Sequence, residues 1–285
     1  MFTSIPLSHS IPFVILHGLG MQCNDEGSIF YQSSLSMLTG VKGTCLEIGN
    51  GAYDSWIMPM EQQVHIACEK VVFGLSFFPL SFWFIGFSLR SMPELQQGYN
   101  LVGLSQGNVI ARGVIELCDN APPTGPWCAA VGFYDEMGVY SDYVQARLGP
   151  SGYTRLPNDI PGYLRGCRFL PTINNEIPSA NNAIHKQRFT SLQNLVLIMF
   201  ESDGVVNPPL SSWFGFYQDG DSSRILPPQQ TRLYKEDLFG LRTLDEAGKV
   251  KFIKVPGVHL VITIPQLQQY VVPYLVDSAA GFFLP

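Results

Sequence analysis

Charge is scarce in this chain. Of its 285 residues, 14% are Asp, Glu, Lys or Arg and 46% are hydrophobic; a typical soluble protein carries about 25% charged residues. That balance excludes a disordered chain and a long coiled coil, since both are far richer in charge. No basic run occurs, nor any interleaving of basic with aromatic residues, and the net charge is −6. A nucleic-acid footprint is therefore missing. There is no repeat at solenoid spacing, and no Asn-x-Ser/Thr sequon, so glycosylation offers no argument for export. Six cysteines stand at 23, 45, 68, 118, 128 and 167, none of them in a Cys-x-x-Cys pair. That spacing argues against a zinc site or a thioredoxin-type redox pair. It leaves open two or three disulfides of an exported or lysosome-like protein, or a set of buried free thiols. Residues 1–6 (MFTSIP) lack a basic start and a long apolar core, so no signal peptide is read there.

What is present is a set of apolar runs separated by helical patterns. Residues 11–16 (IPFVIL) read as a buried strand, closed by the glycine turn His17-Gly18-Leu19-Gly20. Residues 28–39 look helical, and 45–48 form a short strand. Ile57, Met60, Val64, Ala67 and Val71 recur at helical spacing, which predicts a helix over 57–72. Residues 71–89 are uncharged for nineteen positions, long enough for a spanning helix. Pro79 and seven aromatic rings make this segment a poor one, and no stable membrane span is expected. Further strands are predicted at 99–103, 194–200 and 251–255, with helices at 107–118 and 264–276. The Pro-, Gly- and Asn-rich stretch 119–190 reads as a cap over the sheet. Strands alternating with helices indicate a single α/β domain over 1–285 with a mostly parallel sheet. Functional residues then belong at the carboxyl ends of its strands.

Gly103-Leu104-Ser105-Gln106-Gly107 fits G-x-S-x-G between a predicted strand and a predicted helix, the setting of a nucleophile elbow. A serine hydroxyl needs a base and an orienting acid, which on such a sheet follow it in the order acid, then histidine. Among the five histidines only His259 follows a late strand; His185 lies in a polar stretch that suggests a solvated surface. The acid is expected just past Phe200, where Asp203 is preferred because Ser202-Asp203-Gly204 is turn chemistry, with Glu201 as the fallback. Two backbone N–H groups must receive the oxyanion. Gln106, next to the nucleophile, supplies one; Leu19 in the first glycine turn is preferred for the other. His17 is read as a structural residue of that turn. No metal cluster or phosphate loop competes with this constellation, and no cofactor is called for.

Longer blocks surround these residues. They include PFVILHGLG at 12–20, EIGNGAYDSW at 47–56, LQQGYNLVGLSQGN at 95–108 and YSDYVQARLGPSGY at 140–153. Others are LPNDIPGYL at 156–164, SSWFGFY at 211–217, LPPQQTRLYKEDLFGL at 226–241 and LDEAGKVKF at 244–252. In these blocks the sequence resembles the palmitoyl-protein thioesterase family of α/β-hydrolases, its plant members above all. The resemblance implies an α/β-hydrolase fold, with helices on both faces of the sheet and an irregular cap. It implies Ser105 as nucleophile, Asp203 as acid and His259 as base, with Leu19 and Gln106 as oxyanion donors. The implied reaction is hydrolysis of the thioester between a long acyl chain and a protein cysteine, in lysosomes, vacuoles or the secretory pathway. S-acylated proteins or acyl thioesters are the implied substrates, with transient contact to a membrane surface. Cys68 with Cys118, and Cys23 with Cys45, resemble family disulfide pairs. An apolar acyl groove is needed, for which the cap and Trp213 and Phe214 are candidates.

Two segments depart from the family pattern. Residues from about 73 to 90 intervene where the family runs on directly, and Pro122 to Tyr140 is short, with WCAAVGFYDEMG at 127–138 in place of a Gly-Gly-Pro-His-like turn. One core strand is then expected to be missing unless 127–134 fill its place. Two alternatives to the thioesterase reading stay open: a broader lipid acyl esterase, and a catalytically inactive splice or gene-model variant.

Overall fold

The computed structural model describes residues 11–72, 95, 98–119 and 138–276. Residues 73–90 and 127–137, where both departures fall, lie outside the described residues, as does the question of a replacement strand at 127–134.

Three parallel strands form the first sheet. β1 (Phe13–Leu16) lies between β2 (Thr44–Leu46) and β3 (Asn100–Gly103), with Val14 opposite Thr44 on one side and Leu101 on the other. β4 (Leu195–Phe200) pairs in parallel with β7 (Val250–Val255), Leu195 facing Val250 and Phe200 facing Val255. Between these two in sequence, β5 (Phe216–Gln218) and β6 (Asp221–Leu226) make an antiparallel hairpin. β1, β3 and β4 are buried at every position. Parallel strands covered on both faces need unbroken apolar runs, which is why FVIL and LVLIMF are read so directly from sequence.

The helix expected over 57–72 begins at Met60, and Ile57 instead ends a separate short helix that the sequence reading did not give. α1 spans Glu26–Thr39, α2 Ala52–Ile57, α3 Met60–Val72 and α4 Gly107–Leu117. The cap region holds short helices: α5 (Asp142–Gln145), α6 (Ile160–Gly166), α7 (Leu170–Ile173) and α8 (Asn182–Thr190). α9 (Arg232–Lys235), α10 (Leu241–Glu246) and α11 (Ile264–Tyr270) complete the order. α1 is closed at both ends: Asp25 accepts the Ser28 N–H at 2.7 Å, and Gly40 takes a left-handed φ of 70°. The last helix is shorter than the expected 264–276. It starts at a Thr263–Gln266 capping box and ends at Tyr270, followed by a 3₁₀ turn at Val272–Tyr274. Pro273 has no N–H to continue the ladder, and its ring crowds the preceding turn.

Alternation along the strands divides the interior into two cores. Phe13 and Ile15 of β1, Val102 of β3 and Val196, Ile198 and Phe200 of β4 pack with Leu35 of α1 and Leu267 near the end of the chain. Val14, Leu16, Leu101, Leu195 and Leu197 face the other way, onto Val64 of α3, Ile110 and Val114 of α4, and Phe189 of α8. β3 and β4 share both cores without being ladder partners among the described residues. Two disulfides tie the first half together. Cys23–Cys45 joins the segment after β1 to β2, and Cys68–Cys118 joins α3 to the end of α4. Cys167 is a buried free thiol.

Candidate active site

The turn after β3 places Ser105 in a backbone conformation that few residues adopt, with φ at 53°. Its neighbours make that possible. A Cβ on Gly103 would meet Asn108 Oδ1 at 2.3 Å, and one on Gly107 would meet the Leu16 carbonyl at 2.1 Å. Both positions therefore require glycine, and α4 can begin immediately behind the serine. The turn after β1 is equally close: a Cβ on Gly18 would lie 3.0 Å from the Ser105 Cβ. The N-terminus of α4, with the positive end of its dipole, lies directly behind Ser105.

The loops after β4 and β7 meet beside it. Ser202 donates to the Gly257 carbonyl at 2.9 Å, so the two loops are tied through their backbones. Asp203 accepts from Val205 N–H at 2.9 Å and Val206 N–H at 2.8 Å through Oδ1. Its Oδ2 lies 2.7 Å from His259 Nδ1. Burial alone would raise the Asp203 pKa, but the bonds from His259, Val206 and Val205 outweigh it and hold the carboxyl below its ordinary value. An ionised carboxylate at that distance puts the His259 proton on Nδ1 and leaves Nε2 as the basic nitrogen. Tyr31 of α1 donates to the Leu260 carbonyl at 3.0 Å and steadies the His259 loop from below.

Ser105, Asp203 and His259 all line one cavity of about 60 Å³. Its remaining walls are largely apolar, including Val102, Leu104, Ile198, Phe200 and Val206. Glu201, the fallback acid, is directed to Lys254, with its oxygen 2.8 Å from the ammonium. His65 is exposed and faces Glu69 at 3.7 Å. His185 is a correction to the sequence reading: it is buried, not on a solvated surface, and burial lowers its pKa. Its polar sequence neighbours concealed the packing of α8 against α4. His17 is buried in the turn after β1; its Nε2 accepts from Ile48 N–H at 3.1 Å, so Nδ1 donates to the Gly18 carbonyl at 3.1 Å. Those bonds fit the structural role read for it.

In the turn 18–23, Gly20 N–H donates to Ser55 Oγ, Met21 N–H to the Gly18 carbonyl, Gln22 N–H to Asp25 and Cys23 N–H to Glu47. Every one of those donors is already engaged; Leu19 and Gln106 lie on the two segments that flank Ser105. The Gln106 side chain is wholly buried and bonded to Ser55, Gln63 and Tyr153. Sequence reading missed these three residues. Ser55 and Tyr153 lie inside blocks already singled out and Gln63 does not, and a polar residue within a helix gives no sign of the partner it will find.

Trp213 is directed into the packing: its indole N–H donates to the Leu197 carbonyl at 2.9 Å, and its ring meets Phe252 edge-on. Phe214 lines a larger cavity of about 540 Å³ together with Tyr153, Arg155, Leu170, Glu176 and Phe216. Ser105 is not among the residues lining that cavity. No cluster of His, Cys, Asp and Glu able to hold a metal ion occurs among the described residues. No helix among them is long and apolar enough to cross a membrane.

A serine that shares a cavity with an imidazole, itself held by a buried carboxylate, has the composition needed for acyl transfer through a covalent intermediate. Comparison with known proteins agrees with this chemistry. A family model described as palmitoyl protein thioesterase matches residues 12–259. Palmitoyl-protein thioesterase 1 of Caenorhabditis elegans is 33% identical over 279 residues, covering 88% of this chain and 87% of that protein. Palmitoyl-protein thioesterase 3 of Dictyostelium discoideum is 29% identical, covering 94% and 93%. Lysosomal thioesterase PPT2 of Homo sapiens is 27% identical, covering 87% and 81%. The match runs from the first strand to the His259 loop and takes in the elbow, both cavity-lining loops and the parallel strands that carry them. The chain belongs to the palmitoyl protein thioesterase family and has its α/β-hydrolase fold.

Proposed function

We propose that this chain hydrolyses the thioester linking a long-chain acyl group to a protein cysteine, with Ser105 as nucleophile, His259 as general base and Asp203 as the acid that orients it. The observation that carries the reading is the meeting of Ser105 with the His259–Asp203 pair at one largely apolar cavity. Ser105 Oγ adds to the thioester carbonyl carbon while its proton passes to His259 Nε2. The carbonyl oxygen becomes an oxyanion, received by the Leu19 and Gln106 N–H groups. Collapse of that adduct breaks the C–S bond, and the cysteine thiolate leaves with the proton from His259 or from water. A thiol of pKa about 8.5 is a far better leaving group than an amine, so little acid assistance is needed. Water, activated by the same imidazole, then adds to the acyl-enzyme, releasing the fatty acid and restoring Ser105.

The apolar walls next to Ser105 suit the carbonyl end of the acyl chain. Phe214 lines the separate cavity of about 540 Å³, which Ser105 does not border, and Trp213 is held in the packing. A relative named lysosomal thioesterase supports the lysosome as the compartment. The two disulfides suit the oxidising route to it. A fluorophosphonate probe tests the assignment. Labelling is expected on Ser105 of the folded chain and is expected to vanish in Ser105→Ala. Absence of labelling in a folded sample would favour the inactive-variant reading.

A further inference from the structure

We infer that Ser55, Gln63 and Tyr153 form a clamp that sets the spacing of the two oxyanion donors, and that Ser55 is its positioning residue. The inference rests on the proposed roles of Ser105, Leu19 and Gln106. Those donors belong to separate segments, the turn after β1 and the start of α4. The bond from Leu104 N–H to the Leu16 carbonyl, 2.9 Å, ties the elbow to the end of β1, but it lies below the turn. The turn itself has few handles. Gly20 is exposed, has no side chain and takes a φ of 69°.

Ser55 supplies the handle, from α2. Its Oγ accepts the Gly20 N–H at 2.8 Å and donates to the Ala52 carbonyl at 2.6 Å. Its carbonyl accepts the Gln106 side-chain amide at 2.9 Å. One fully buried serine is thus bonded to both donor-bearing segments. Gln106 is fixed in turn by its own complete satisfaction: its amide also donates to Gln63 Oε1 at 3.0 Å, and its carbonyl accepts the Tyr153 hydroxyl at 2.8 Å. Gln63 is held by the Met58 carbonyl at 2.7 Å. A buried amide with every polar group paired has one orientation. The backbone N–H of Gln106, at the elbow, shares that rigidity.

The clamp serves reaction geometry more than stability. Gly20 is exposed and its bond to Ser55 only partly buried, so removing Ser55 Oγ strands no fully buried donor. The placement of Leu19 is lost instead, and a displacement of about 1 Å at such a site costs about 100-fold in rate.

The test uses the full chain, with Ser55→Ala and the milder Tyr153→Phe, which keeps its ring. Three quantities are read: turnover of a palmitoyl thioester, affinity for a palmityl trifluoromethyl ketone, and affinity for the unreactive palmityl thioether. Ser105 Oγ adds to the ketone carbon, its proton goes to His259, and the ketone oxygen becomes the oxyanion, so only the ketone reports the donors. Ser55→Ala is expected to lower kcat by about 10- to 100-fold with KM unchanged. Ketone affinity should fall by the same factor, with thioether affinity and melting temperature unchanged; Tyr153→Phe should lose about 3- to 10-fold in turnover and ketone affinity with thioether affinity unchanged, and its melting temperature should fall because the buried Gln106 carbonyl loses its donor. Should Ser55→Ala fail to fold, the Tyr153→Phe pattern decides. Ketone and thioether affinities falling together, or kcat unchanged in both variants of an active enzyme, would overturn the clamp alone. A wild-type chain without Ser105-dependent turnover would overturn the proposed function and the clamp with it.

Discussion

Ser105 holds a φ of 53° because Gly103, Gly107 and Gly18 let three backbones come within contact of it. The strain is local and serves exposure of Oγ at the end of β3. Ser105→Ala is expected to leave the fold intact and lower thioester turnover by about 10⁴-fold or more, measured with purified protein under saturating substrate. Asp203→Asn should cost on the order of 10⁴-fold by releasing the His259 tautomer. The same carboxylate stays ionised in mildly acidic solution, because its bonds keep its pKa below the ordinary value. At this scale the sequence was largely legible. G-x-S-x-G, the turn residues after Phe200 and a histidine after the last strand have fixed order on such a sheet. What stayed hidden were Ser55, Gln63 and Tyr153, whose role depends on partners 51, 43 and 47 residues away from Gln106.

The elements that present these residues are short and depend on exact packing. Gly107→Ala would push a methyl to within 2.1 Å of the Leu16 carbonyl, and that backbone atom cannot swing aside. α4 must then shift away from β1. The variant is expected to lose Ser105 labelling while keeping most of its helical signal by circular dichroism. Cys68–Cys118 closes a separation of 50 residues between α3 and α4. By the chain-entropy relation, Cys68→Ser with Cys118→Ser should cost about 4 kcal/mol, read from urea unfolding. The parallel strands and α1, α3 and α4 were legible because their apolar residues follow one period over many positions. The β5–β6 hairpin was not, since DSSRIL is polar at most of its positions and mostly exposed. α11 was read too long because the apolar pattern continues past Pro273, where the backbone cannot follow.

Across the whole molecule, buried ionisable groups set how stability responds to acid. Glu116 of α4 is fully buried beside Arg112, and burial pushes its carboxyl up from 4.5 to about 7 against the pull of that arginine. Between those values the folded chain keeps a proton that the unfolded chain has released. This group's contribution therefore grows as pH falls from 7 toward 4.5. His185 acts the other way: burial lowers its pKa from 6.5, so acid favours the unfolded chain, which can take up that proton. Glu116→Gln removes the first effect and leaves the second. The melting temperature of wild type relative to this variant is expected to rise as pH is lowered through that window; a constant difference would contradict the account.

The central claim is thioester hydrolysis at Ser105, and one measurement addresses it most directly. An S-palmitoylated cysteine peptide is incubated with the purified chain, and the free-thiol peptide and palmitate are followed by mass spectrometry, with Ser105→Ala alongside. The account expects both products in equal amounts from the wild type and neither from the variant. Release at the same rate by both proteins, or no release by a folded wild-type chain, would contradict it.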